Sequence, residues 1–147
     1  MLTESSSAYH YNISARGILG GLFVGIGATV INLIFDFVYR KITGYEFAEF
    51  ININTIIFFT IPTLVLGGIV YSLILQFIKP GLVVYIGLCL VLTAVVAFIP
   101  LGPYMLPTGE PMPESARGLT LGVELITGLM GAFAIPYFAE HPKVWGD

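Results

Sequence analysis

Four long stretches almost free of charge govern what this chain can become. No charged residue separates Arg16 from Asp36, none lies from Phe50 to Ile78, and none lies from Leu82 to Ile99. From Gly118 to Phe138 the one charge is Glu124. A helix needs about 20 mostly apolar residues to cross a bilayer, so the pattern predicts spans at about 18–39, 55–77, 82–99 and 118–138. Lys79-Pro80-Gly81 breaks the second from the third, because Pro disfavours helix in the residue before it and Gly supplies the turn. Pro100 ends the third.

Composition points the same way. Of 147 residues, 56% are hydrophobic and 10% charged, against about 25% charged in a soluble domain. A water-soluble core of this size cannot hide so much apolar surface, so the solvent is lipid. The expected fold is all-α: one transmembrane domain, 1–147, built as a four-helix bundle of two helical hairpins with a very short turn between helices two and three. The polar first 17 residues, MLTESSSAYHYNISARG, lack a basic start and a small-residue cleavage site, so the first span reads as retained rather than as a signal peptide. Asn12-Ile13-Ser14 matches a glycosylation sequon, a tripeptide that also recurs by chance.

Two longer loops, KITGYEFAEFININT and PLGPYMLPTGEPMPESARG, fall on the same face because an even number of spans separates them. Their aromatic residues suit a membrane interface, and FAEF and YRKITGY read as interfacial belt. Pro100, Pro103, Pro107, Pro111 and Pro113 make the second loop irregular. The loops are either solvated connectors or a small cap packed together. Arg16, Lys79 and Lys143 on one face balance Arg40, Lys41 and Arg117 on the other, so the positive-inside rule gives a tie. The short turn tilts the reading towards both tails in the cytoplasm of a multi-pass cell-membrane protein. GLFVGIG (Gly21 to Gly27) and GLVVYIG (Gly81 to Gly87) share five of seven letters at an offset of 60, a hint of duplicated hairpins.

In lipid, helices associate through close packing and interhelical hydrogen bonds, so small and polar residues mark contact faces. At 100° per residue, Gly21, Gly25, Thr29, Asn32, Asp36 and Arg40 share a face of the first helix. Arg117, Thr120, Glu124, Thr127, Gly128 and Gly131 share a face of the fourth. The second helix carries a weaker stripe, Thr60, Thr63 and Gly67. The two strong stripes predict that helices one and four meet through Gly21, Gly25, Gly128 and Gly131. Glu124 lies about 10 Å along the axis from Arg117, and Asp36 about 6 Å from Arg40, so both acids sit in one leaflet. Asp36 and Arg40, four residues apart, can pair within their helix. Glu124 has two readings. It clamps helix four to helix one through Asn32, Thr29 or Arg40, or it is protonated; alternatively, with Asp36 and Asn32, it forms a proton, ion or small-ligand site, as an intramembrane acid does by default.

Other chemistry is sparse. A net charge of −3 and six scattered Lys and Arg give no basic patch for nucleic acid. Cys89 is the single cysteine, so no internal disulfide forms. His10 and His141 fall in the tails, away from where a haem would need axial ligands, so no cofactor is expected. Met105 and Met112, without His or Cys beside them, read as apolar loop contacts rather than copper ligands. Tyr71 and Tyr85 read as packing residues rather than redox groups. No catalytic set, phosphate loop or metal signature is present.

The loop ITGYEF, the short turn after helix two, and AFIPLGPYMLP leading into ARGLTLGVELITGLMGAFAIPYF together resemble a family of small four-helix bacterial membrane proteins defined by a domain of unknown function. The resemblance runs from about Ala15 to Phe138. Members often carry a His after a Met in helix four; this chain has ELITGLMGAF there and no His. The resemblance implies the architecture and no activity. The chain thus reads as a non-enzymatic accessory or scaffold subunit, partnered by lipid and by other membrane subunits or further copies of itself. The alternative is a small transporter or channel component using Asp36 and Glu124.

Overall fold

The structure is a computed structural model and describes residues 12–45, 51–106 and 108–141. The tail through residue 11 with His10, the FAEF stretch at 47–50, Pro107 and Lys143 lie outside the described residues. The described chain is helical: α1 spans Ile13–Thr43, α2 Ile53–Phe77 and α3 Gly81–Phe98. A fourth rod, α4, spans Glu114–Glu140. All four are long and apolar enough to cross a membrane.

The helices begin and end where backbone chemistry dictates, not where the apolar stretch does. α1 starts at residue 13 and runs to Thr43, past both edges of the predicted 18–39. It stops at Gly44, whose left-handed φ of 66° lets its N–H reach back to the Arg40 carbonyl. α2 starts at Asn52, whose side chain accepts from the Thr55 N–H at 2.9 Å. Ile78 is extended, so α2 and α3 are joined by a turn of three residues, 78–80. α4 starts four residues before the predicted 118, directly after Pro113, with Glu114 in its first turn where the helix dipole favours an acid.

α4 is not uniform. It is α-helical over Glu114–Leu129, π-wound over Met130–Ala134, and α-helical again over Ile135–Glu140. The cause is Pro136. In the π turn the Ile135 N–H bonds the Met130 carbonyl. The Gly131 carbonyl would next look to residue 136, which has no N–H to give. The Tyr85 hydroxyl of α3 donates to that freed oxygen at 2.9 Å.

Packing is led by α1 against α2, a contact that the stripe reading assigned to α1 and α4. Gly17, Gly21 and Gly25 recur every four residues along α1 and face α2, the first two against Gly68 and the third against Ile61 and Leu64. A Cβ on Gly21 would lie 3.1 Å from the Val65 Cα, and one on Gly25 would lie 3.3 Å from the Ile61 Cα. Backbones this close need glycine. Gly128 instead faces Thr93 of α3, and Gly131 faces the Leu64 side chain of α2. α1 and α4 do touch, through different residues. Phe35 and Tyr39 cover Gly122 and Gly118, and Gly20 lies near the Ile135 carbonyl. The α1–α2 seam arises because three glycines at spacing four form a flat strip. The glycines of α4 begin only at Gly128 on that face.

Two apolar cores result. One gathers Val24, Ala28, Leu64, Tyr71, Tyr85, Ile135 and Ala139. The other lies at the long-loop end and joins Ile56, Ala116, Leu119 and Val123 to Tyr45 and Ile51 of the first loop, with Met112 of the second packed against them. Of the two loop readings, the packed cap is the one these contacts match. The second loop folds on itself through a Met105–Pro111 bridge, with Gly109 at φ 82° in its turn.

Candidate functional site: a cleft between α2, α3 and α4

The polar stripe of α1 is paired through its donors, while the Asn32 Oδ1 is buried without a partner among the described residues. The Asn32 side chain, fully buried, donates to Thr60 Oγ1 of α2 at 3.1 Å and to Thr127 Oγ1 of α4 at 2.9 Å. One amide thus ties three helices together. Thr127 in turn donates to the Val123 carbonyl. Thr29 and Thr120 bond back to the carbonyls of Gly25 and Ala116 in their own helices. Asp36 pairs with Arg40 at 2.8 Å, and Arg40 also donates to the Ile51 carbonyl and lies 5.2 Å from the centre of the Tyr45 ring. Asp36 is therefore occupied in anchoring the first loop.

Glu124 is placed otherwise. None of its expected partners, Asn32, Thr29 or Arg40, bonds to it. Its Oε2 is buried and has no hydrogen-bond partner. The reason is helical geometry. Thr127, three residues on, is rotated about 60° from Glu124, whereas Gly128 and Gly131 lie within about 40° of it. With Thr127 turned towards Asn32, Glu124 points away from α1. It shares the wall of a cleft of about 300 Å³ with Gly128 and Gly131. Phe59, Thr63 and Gly67 of α2 form one side, and Cys89, Leu92 and Thr93 of α3 the other. Arg117, two turns before Glu124, is not in the cleft, and its Nε also lacks a partner.

Towards the α2–α3 turn, the cleft is closed by packing between α2 and α3. Near their turn, Tyr71 and Tyr85 pack edge to face with ring centres 5.1 Å apart. Tyr85 is held by the Gly131 carbonyl, and Tyr71 donates to Glu140 at 3.2 Å. Further along, the α4 side of the cleft is Glu124, Thr127, Gly128 and Gly131; Gly128 lets Thr93 approach, while Thr93 bonds its own Cys89 carbonyl.

Sequence reasoning named Glu124, Gly128 and Gly131 but assigned them to α1. It passed over Thr93, read Cys89 only as a lone cysteine without a disulfide, and read Tyr85 as packing alone, without its hydrogen bond. Pro136 was the available signal for that bond, since a proline within a helix frees a carbonyl upstream. For Asn32, a buried amide at the centre of a stripe signalled a partner, but nothing in the sequence singled out Thr60 and Thr127. Compared with family models, curated proteins and solved structures, the chain matches none of them.

Proposed function

We propose that this chain is a multi-pass membrane protein that binds a ligand in the α2–α3–α4 cleft and works as a small transporter or as the binding component of a transport assembly. In this reading both tails face the cytoplasm. Support for the membrane comes from the surface. Phe58, Phe77, Val83 and Phe98 are each more than two-thirds exposed, and in water each would forgo about 1.5–3 kcal/mol of burial. The observation that carries the ligand reading is Glu124: its carboxylate lines an apolar cleft, and among the described residues neither a base nor a hydrogen-bond donor pairs with it. Such a group is costly to desolvate, and a ligand in the cleft would supply what it lacks.

The test is reaction with dicyclohexylcarbodiimide, a lipid-soluble reagent for carboxyl groups in apolar surroundings. In membranes containing the protein, Glu124 should be modified ahead of Glu110 and Glu114, as read by peptide mass. Modification of the loop acids with Glu124 untouched would refute the reading. An accessory subunit is a second reading, favoured by α3, of which only Gly81 and Tyr85 are buried. Purification in mild detergent with a stoichiometric second protein would support it.

A further inference from the structure

We infer that the cleft takes a lipophilic monocation, an amine or onium group with an apolar body, drawn sideways from the bilayer. This rests on the cleft being a ligand site and names the class of its ligand.

The charge follows from the donor set. Glu124 brings the one carboxylate in the lining, and opposite charge is what an unpaired carboxylate favours. A bare inorganic cation is poorly served here. Calcium takes six to eight oxygen ligands, and among the described residues no three His, Cys, Asp or Glu side chains come together. The lining threonines, Thr63, Thr93 and Thr127, add at most three neutral oxygens, still short of that number. Thr93 is turned to the Cys89 carbonyl, and Thr127 is held between Val123 and Asn32. A cation that enters must therefore bring its own apolar cover. Phe59, exposed in the lining, offers a ring surface on which a soft cation can rest.

Size and access agree. About 300 Å³ is at the lower end of the range of small-molecule sites. Leu66, Leu88 and Leu92 line the cleft and are also exposed on the outer surface of α2 and α3. If α2 and α3 span the membrane, that rim lies in hydrocarbon. A ligand partitioned into the bilayer reaches Glu124 between the two helices without crossing the α1–α2 seam.

The experiment uses the full chain in nanodiscs with three probes of similar shape: tetraphenylphosphonium (cation), tetraphenylborate (anion) and triphenylphosphine oxide (neutral). Equilibrium dialysis against empty nanodiscs should give saturable binding of tetraphenylphosphonium only. Loss of a buried charge pair costs about 2–5 kcal/mol, so Glu124→Gln should weaken it by more than about tenfold. Glu114→Gln, at the exposed start of α4, should bind as the parent does. An unchanged melting curve for Glu124→Gln shows that the loss belongs to the site. Equal binding by Glu124→Gln, no saturable binding of the cation, or preference for tetraphenylborate overturns the inference. If triphenylphosphine oxide shields Glu124 from the carbodiimide and the phosphonium does not, the cation class falls while the ligand cleft stands. If Glu124 is unreactive from the outset and no probe binds, both fall.

Discussion

Gly21 and Gly128 are both glycines on apolar helices, and they build opposite things. Gly21 belongs to a strip of three at spacing four, and the α2 backbone fills the space its missing side chain leaves. Gly128 meets the Thr93 side chain, which from its Cβ outward fills the place a Cβ on Gly128 would take, and a cleft opens beside the pair. The α1–α2 seam is backbone against backbone. Beside the cleft, Gly128 and Gly131 of α4 meet side chains, Thr93 and Leu64, and a carboxylate is left over. Both glycines mark contacts, but contacts of different kinds. What decides is whether the facing helix also presents small residues, as α2 does with Gly68.

The seam should be the less forgiving of the two. Gly21→Leu drives a side chain into the Leu64 carbonyl and the Val65 backbone, which cannot rotate away. The expected loss is about 3 kcal/mol, seen as aggregation or a much lower melting temperature in detergent. Gly27→Leu on the same helix, with nothing within 4 Å, should stay within about 0.5 kcal/mol of the parent. Similar behaviour of the two variants would break the distinction.

Next comes the polar tie that joins the two regions. Asn32→Leu removes hydrogen bonds to both Thr60 and Thr127, for an expected cost of about 1–2 kcal/mol in thermal unfolding. An Asn32→Leu chain as stable as the parent would mean that packing alone holds α4 to the seam.

The smallest effect sharpens the comparison most. Glu124→Leu removes a polar group that has no partner to lose. Stability should be unchanged or rise by up to about 1 kcal/mol. A clear loss would restore the clamp reading and give Glu124 the role the structure assigns to Asn32.

Several features were legible before any fold was known. Charge-free length predicted four helices and their order, because a long apolar run in a chain with so few charges has few alternatives to a helix. The Asp36–Arg40 pair was legible because it is local, fixed by 3.6 residues per turn. Helix ends were less so: Asn52 and Pro113 start helices through backbone geometry that hydropathy ignores. The pairing of Gly25 with α2 and of Gly128 with α3 was not legible, since a stripe marks a face and not its partner.

The sequence by itself therefore determined that this is a chain of four apolar helices with two acids set into them. The tertiary structure decided that the acids differ. Asp36 has Arg40 within its own helix, and local spacing suffices to pair them. Glu124 has no base within reach on α4, so its surroundings depend on how α4 is turned. That rotation is set by Asn32 holding Thr127, and by the π turn that Pro136 imposes and Tyr85 stabilises. These are contacts between residues 46 to 95 positions apart in the chain, beyond what periodicity within one helix encodes.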